Sequence, residues 1–574
     1  MKTYLVGLSV IFILTACNKK SETQEQGNSI IKLADVYYQR VLESYPEYAY
    51  YLDEDLGRHD QISSNDLLKV EEWERFEDSL YLKLREIDES IITEKKNRIT
   101  YWLLKEELES NKAMRVCKRN LWNVNHRSGW QSKWLSLINF QPVGSEELRE
   151  QALTRWNTFP DYVATEIKNL KKGVALGYTM PKEIVKLVID QMQVLQDYTI
   201  KESPFMSPAK RDGDEDFVAE WKALVDEKML PAIANYQKYL SDEYLKVARE
   251  EVSILNIPNG AECYQAQIRS YTTSGITGNE IFELGSKIVK NNKTKVIELG
   301  KELYKSDNFN EIVKLVEEDS LDYFKTSDEI LETNIQLLEN AKKESEKWFA
   351  VMPSKEVTIK PYEPHEAGRG SYEGATKDKP AYFRINLQNP EKQQKGSNEI
   401  LTYHEAYPGH HLQRGIERDI VGLHPISKMI SFGSYVEGWA RYSEQLAEEM
   451  NLYKNRSALI KRRTWPSRGM VVDPALHLKG WTKEQVMNFM MESGTTKESA
   501  LSLYHRIIIW PAQLTSYDVG GEEIKSLRKR AESKLGDDFD VREFHSEVLK
   551  NGSIPLSALR ISIDDWIDKK SSKL

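Results

Sequence analysis

The sequence predicts a mainly α protein, a large helical body with a small β-sheet next to one histidine-bearing helix. Two observations predict it. Apolar and aromatic residues recur at three- and four-residue spacing through nearly every segment between residues 31 and 349, the period of a helix buried along one face. Val357 to Tyr362 instead alternates, and Ala381 to Leu387 is a run of β-branched and aromatic side chains, as strands are.

The elements follow in order. Ile31 to Leu52 sets Leu33, Val36, Tyr37, Val41 and Leu42 at helical spacing and breaks at Pro46. Leu67–Ile92, Arg98–Asn120, Ser145–Leu176, Pro181–Tyr198 and Asp216–Leu255 repeat the pattern with charged outer faces. Pro181 suits a helix start, where the missing N–H costs nothing, whereas Ser203-Pro204 and Ser207-Pro208 read as loop. Glu280–Tyr304, Phe309–Asp319 and Thr326–Phe349 continue the series without a fixed period, which argues against a solenoid. Val357 to Tyr362 alternates and stops at its proline, Gly368 to Lys379 reads as a loop, and Ala381 to Leu387 is the clearest strand. That strand is an exposed edge for an extended peptide or a buried member of a small sheet. A polar loop over 391–397 leads into a helix from about Asn398. The expected division is a helical region over 31–350 and a metal-site region over 351–574, packed as one body.

Met1-Lys2, an apolar run from Tyr4 to Leu14, and Leu14-Thr15-Ala16-Cys17 form a secretory start too short to remain in a bilayer as a helix. A cysteine directly after Leu-Thr-Ala reads as a lipid attachment point. Residues 1–16 are then a lipoprotein signal peptide and residues 17–30 a flexible tether from lipidated Cys17. An ordinary secretory signal with an incidental cysteine is the plainer alternative. The expected place is the bacterial cell envelope, facing the periplasm, with the lipid as the only membrane contact. Cys117 and Cys263 read as isolated buried thiols, although they could pair. A net charge of −9 with no long basic tract excludes a nucleic-acid partner.

The densest chemistry is His404-Glu405-Ala406-Tyr407-Pro408-Gly409-His410-His411. In the usual zinc-peptidase motif two histidines stand one helical turn apart and the glutamate beside the first is the general base. Here Pro408 occupies the second ligand's place. His410 on an unbroken helix lies ~9–10.5 Å along the axis, too far to share an ion with His404. Pro408-Gly409 is the dipeptide most able to bend the helix or insert a bulge, and that would return His410 to the site. His410 needs the smaller distortion and is preferred to His411. A third ligand is expected from the next helix, where Glu437 precedes Gly438, a residue that permits close backbone approach; Glu444, two turns on, could orient a ligand. Both are otherwise ordinary helix charges.

Glu405 is the candidate base and proton shuttle. Tyr517 is a candidate oxyanion donor or a packing ring. Asp473 and His477 share a helical face if Pro474 opens that helix, and the pair, through His477, donates to the oxyanion, orients a ligand or is a satisfied core pair. Arg468 and Arg506 suit a substrate carboxylate or a structural ion pair; His545 and Tyr504 are reserve candidates.

Four blocks resemble the signature of the bacterial "domain of unknown function 885" family: His404 to Gln413, Glu437 to Tyr442, Val471 to His477 and Trp510 to Tyr517. The resemblance runs from about Ile31 to Arg560. That family is similar in fold style to the helical zinc peptidases of the thermolysin-like superfamily. The resemblance therefore implies a zincin-like helical metallopeptidase architecture, with its metal near His404, His410 and Glu437. Pro408 departs from the wider superfamily's motif. The expected activity is zinc-dependent hydrolysis of short peptides. The alternatives are a lipoprotein that only binds metal or peptide, and a metal-dependent hydrolase of another amide or ester. No Gly-x-Ser-x-Gly elbow is present, which disfavours a serine nucleophile.

Overall fold

The computed structural model describes residues 26–572 except 53, 55, 364–365, 367 and 377–378. The expected signal peptide and Cys17 lie outside the described residues. The chain is helical at residues 26–30, within the segment expected to be a tether. Two compact units form: one from the chain up to Cys263 with His424–Met429, the other from Tyr264–Leu423 with Ile430–Leu574. No helix among the described residues is long and apolar enough to cross a membrane.

The first unit is helical, and its core is aromatic. Trp122, Trp134, Trp156 and Trp221 are fully buried, and Trp130 meets Tyr236 and Phe159 edge-on at 5.0 and 5.6 Å. Such pairs add ~0.5–1.5 kcal/mol each beyond their burial. The expected Ser145–Leu176 helix is two, Glu146–Asn157 and Phe159–Ala175, because Pro160 fits only a first turn. The loop expected around Ser203–Pro208 instead holds a 3-10 turn, Pro204–Met206, and a short helix, Ser207–Asp212, each with its proline at the start. Helix Trp130–Phe140 was not anticipated.

The second unit begins at Tyr264 rather than at 351, and the reason is packing. In helix Gly278–Leu303, a Cβ on Gly285 would lie 2.6 Å from Met470 Cβ. In helix Ser327–Trp348, Asn334 accepts from Thr402 Oγ1 at 3.1 Å. Both partners belong to the metal-site region, so these helices share its core.

Three strands follow: β1 (Val357–Pro361), β2 (Gly370–Glu373) and β3 (Ala381–Ile385). Their order is β1-β3-β2, with β1 parallel and β2 antiparallel to β3. β3 is therefore central, with Ala381, Phe383 and Ile385 buried, and offers no open edge. β2 falls in the segment read as a loop; Gly370 admits it, since a Cβ there would stand 2.7 Å from the Arg384 carbonyl oxygen. Six helices then build the candidate site: α1 (Lys395–Glu405), α2 (His410–Asp419), α3 (Gly433–Glu449), α4 (Arg468–Leu478), α5 (Lys497–Ile509) and α6 (Ser516–Leu535).

Cys117 and Cys263 are not isolated thiols: they form a disulfide across a sequence separation of 146. Closing so long a loop removes unfolded-state entropy, and losing such a bridge typically costs ~2–5 kcal/mol. The Cys117→Ser/Cys263→Ser double variant should unfold at lower denaturant by that amount, and non-reducing peptide mapping should recover the two cysteines on one linked fragment.

Candidate metal centre

The motif is carried by two helices, not by one bent helix. α1 ends at Glu405, Ala406 leaves helical geometry at φ −107° and ψ −104°, and α2 begins at His410. The link Ala406–Gly409 includes a cis Tyr407–Pro408 peptide. Pro408 has no N–H to continue α1. Gly409 passes so close to α1 that a Cβ would fall 1.9 Å from the His404 carbonyl oxygen and 2.5 Å from that of Tyr403. The helix break thus replaces the expected bulge and has the same effect on His410.

α3 holds the link in place. Trp439 Nε1 donates to the Pro408 carbonyl at 2.9 Å and Ser443 Oγ donates to the same oxygen at 3.1 Å. Another strip of α3 presents Glu437, Arg441 and Glu444, spaced four and three apart and so on one face. Glu437 Oε2 lies 3.5 Å from His404 Nε2 and 3.5 Å from His410 Nε2. All three candidate ligand atoms fall within 4.8 Å of one another. A tetrahedral zinc site with bonds of ~2.0–2.1 Å has ligand–ligand edges of ~3.3 Å. The donor set and the two 3.5 Å His–Glu437 separations suit such an ion, while the widest separation in the cluster, up to 4.8 Å, would have to close around it. His404 Nδ1 faces Glu444 Oε1 at 2.9 Å, which leaves Nε2 free for the cluster. His410 Nδ1 is buried and makes no hydrogen bond.

The electrostatics follow from this crowding. Burial pulls the His404 imidazolium down, but hydrogen bonds to Glu437 and Glu444 outweigh it and hold its pKa up at about 10. Burial pushes Glu437 up, but His404 and His410 together hold it well below the usual carboxylate range. Glu444 is likewise lowered, with Arg441 and His404 overcoming its burial. Arg441 donates to Glu444 at 2.8 Å and lies 3.6 Å from Asp518 on α6.

Glu405 accepts from the Tyr372 N–H of β2 at 2.9 Å, and burial raises its carboxyl above the ordinary range despite the neighbouring imidazoles. His411 turns away from the cluster. Its Nε2 meets Tyr407 Oη at 3.0 Å, its Nδ1 meets Tyr372 Oη at 3.4 Å, and burial lowers it to about 4. Of the two adjacent histidines, His410 is the one in the cluster.

The remaining candidates divide. Tyr517 opens α6 and accepts from Arg506 Nη2 at 3.0 Å, while Arg506 Nε donates to Gln513 at 2.8 Å. α6 meets α3 through glycines: a Cβ on Gly438 would lie 2.7 Å from Gly520 Cα, and one on Gly520 only 1.7 Å from the Ser434 carbonyl oxygen. His477 is buried, its Nε2 3.2 Å from the Ile507 carbonyl and its ring against Tyr264. These contacts describe a packing residue rather than a catalytic one. Pro474 stands inside α4 and does not open it. Asp473 accepts from Tyr264 Oη at 2.6 Å and from the Ala512 N–H, and burial raises it to about 7. Arg468 is fully buried and donates to the Thr464 carbonyl at 2.7 Å, a structural role. His545 is a core residue, hydrogen-bonded to Tyr442 and to the Trp348 carbonyl; Tyr504 is buried as well.

Sequence reasoning missed Tyr372, Arg441 and Asp518. Arg441 was within reach, since it lies one turn from both Glu437 and Glu444. Tyr372 was not, because its role depends on β2 pairing with β3.

These features define a mainly α protein in which a helix break gathers two histidines and a glutamate. The chain belongs to the family described as "Bacterial protein of unknown function (DUF885)", whose model matches residues 46–563. Among solved structures it is similar to a "putative lipoprotein" from Colwellia psychrerythraea at 22% identity and a TM-score of 0.84, covering 96% of this chain and 100% of that one. It is also similar to a "putative lipoprotein of unknown function" from Shewanella oneidensis at 20% identity and a TM-score of 0.77, covering 93% and 99%. No curated protein matches it in sequence.

The α3–α6 contact gives a direct test. Gly520→Ala should destabilise the chain by ~2–4 kcal/mol in denaturant unfolding, since the methyl group meets backbone that cannot yield. Gly275→Ala, with nothing within 4 Å of its Cβ, should be near neutral.

Proposed function

We propose that this chain is a zinc-dependent metallopeptidase, exported and lipid-anchored, that hydrolyses short peptides. The observation that carries the reading is the convergence of His404 Nε2, His410 Nε2 and Glu437 Oε2, with Glu444 fixing the first imidazole. Two imidazoles and one carboxylate suit zinc better than magnesium or calcium, which prefer oxygen-only cages. Zinc, when bound, supplies Lewis acidity toward a water and a substrate carbonyl.

The chain's own residues supply the rest. Glu405, adjacent to a ligand and raised by burial, takes the proton of the attacking water and passes it to the leaving amine. Tyr517 is the assigned oxyanion donor, its hydroxyl oxygen held by Arg506. The Tyr372 N–H points away from β3 toward Glu405, so the outer edge of β2 runs beside the base. An extended peptide added to that edge lies along Glu405, its main chain fixed by backbone hydrogen bonds.

Leu14-Thr15-Ala16-Cys17 supports the anchor, together with the descriptions of the two structural relatives. A disulfide between Cys117 and Cys263 suits an oxidising compartment such as the periplasm.

The purified chain should bind one zinc per molecule and cleave a peptide library until a chelator is added. Glu405→Gln should retain zinc yet lose ~10²–10⁴-fold in turnover. Glu444→Gln should weaken zinc binding by ~10–100-fold. A zinc-loaded chain inert toward peptides, or full turnover in Glu405→Gln, would refute the assignment. Cys17→Ser should move the exported protein from the membrane pellet to the soluble fraction, and an unchanged distribution would refute the anchor.

A further inference from the structure

We infer that the first unit carries a separate binding site for an organic cation, an ammonium or guanidinium group on an apolar body. The inference starts from a cavity of about 940 Å³ lined by residues of that unit alone. A volume of this size falls in the range of small-molecule sites and far exceeds a bare ammonium ion.

Four rings in the lining form a connected set. Tyr37 meets Trp73 at 5.9 Å, Trp73 meets Tyr45 at 5.2 Å, and Tyr45 meets Tyr48 at 6.2 Å between centroids. The faces of such rings carry negative potential, and groups of them are how proteins hold alkylated ammonium ions.

Glu107 lines the same cavity and supplies the charge. It accepts from Tyr37 Oη at 3.2 Å and from Asn111 Nδ2 at 3.2 Å, both neutral donors. Among the described residues no cation pairs with it, and burial raises its carboxyl. Its neighbour Glu77 differs, because Arg115 Nη2 stands 2.9 Å from it. A partly buried carboxylate served only by neutral donors is costly by itself and complementary to a cation. The other lining cations do not cancel it. Arg115 is engaged with Glu77 and Asp78, Lys133 is paired with Glu47, and Arg119 lies over Trp122 at 4.8 Å. Lys118 and Lys172 are exposed, where solvent and salt screen them.

Calorimetric titration of the full chain tests the site with benzyltrimethylammonium and benzylguanidine, using benzyl alcohol and phenylacetate as neutral and anionic counterparts. At least one cation should bind with a dissociation constant at or below ~1 mM, about tenfold tighter than either counterpart. Glu107→Gln keeps the acceptor oxygen and should weaken the cation about tenfold while leaving benzyl alcohol unchanged. Tyr48→Leu, at a ring that is 42% exposed and so tolerant of replacement, should weaken the cation as well and decides the matter if the first variant does not fold. Zinc content should be the same in both variants. Equal affinity for benzyl alcohol, no cation binding, or wild-type cation affinity in the folded variants would overturn the inference.

Discussion

The candidate site depends on one oxygen atom, the Pro408 carbonyl, and on the helix that grips it. Removing the ligand from the position one turn after His404 leaves a gap that only a break in the helix can close. A break is ordinarily a loose joint. Here Trp439 and Ser443 each donate to that carbonyl, and both belong to α3, which also carries Glu437. Each bond is worth ~0.5–1.5 kcal/mol net. Their larger effect is geometric: the linker that positions His410 and the carboxylate that faces it are fixed by the same rigid rod. An error in the placement of α3 moves both, and their relative geometry is preserved. α3 is fixed in turn by its glycine contact with α6, which brings Asp518 to Arg441 and sets the start of the helix bearing Tyr517.

Much of this was legible because local chemistry announces itself. The apolar period marked most helices, the alternation at 357–361 and 381–385 marked two strands, and the pairing of Pro408 with Gly409 pointed to His410. Glu437 and Glu444 stood out by spacing. What stayed hidden was set by distant parts of the chain. β2 is a strand because β3 and Glu405 hold its backbone, and nothing in Gly370–Glu373 alone says so. The second unit extends back to Tyr264 because Gly285 admits Met470 against its helix, a contact with no local signature. The link between Cys117 and Cys263 joins residues whose spacing carries no motif. Helix Trp130–Phe140 is a different kind of miss. Trp130, Trp134, Leu137 and Ile138 follow the helical period and are all buried, so the pattern was there to read.

Charge is the last constraint, and it bears on why the cluster takes the form it does. Glu437, Glu444, Glu405 and Asp518 gather around two imidazoles, and Arg441 is the guanidinium among them. With neutral imidazoles, carboxylates outnumber the fixed cation in a space that burial has dried. A low-dielectric interior relieves such an excess either by protonation, toward which burial pushes Glu405 and Asp518, or by a positive charge that joins the cluster. The rise of the His404 pKa to about 10, driven by Glu437 and Glu444 against burial, expresses the same demand. A divalent ion, were it held by His404, His410 and Glu437, would place its charge at the centre of these groups. The carboxylates behind the ligands therefore do more than orient a ring. They add negative charge behind His404 and His410, and that charge is the electrostatic ground on which the zinc proposal rests.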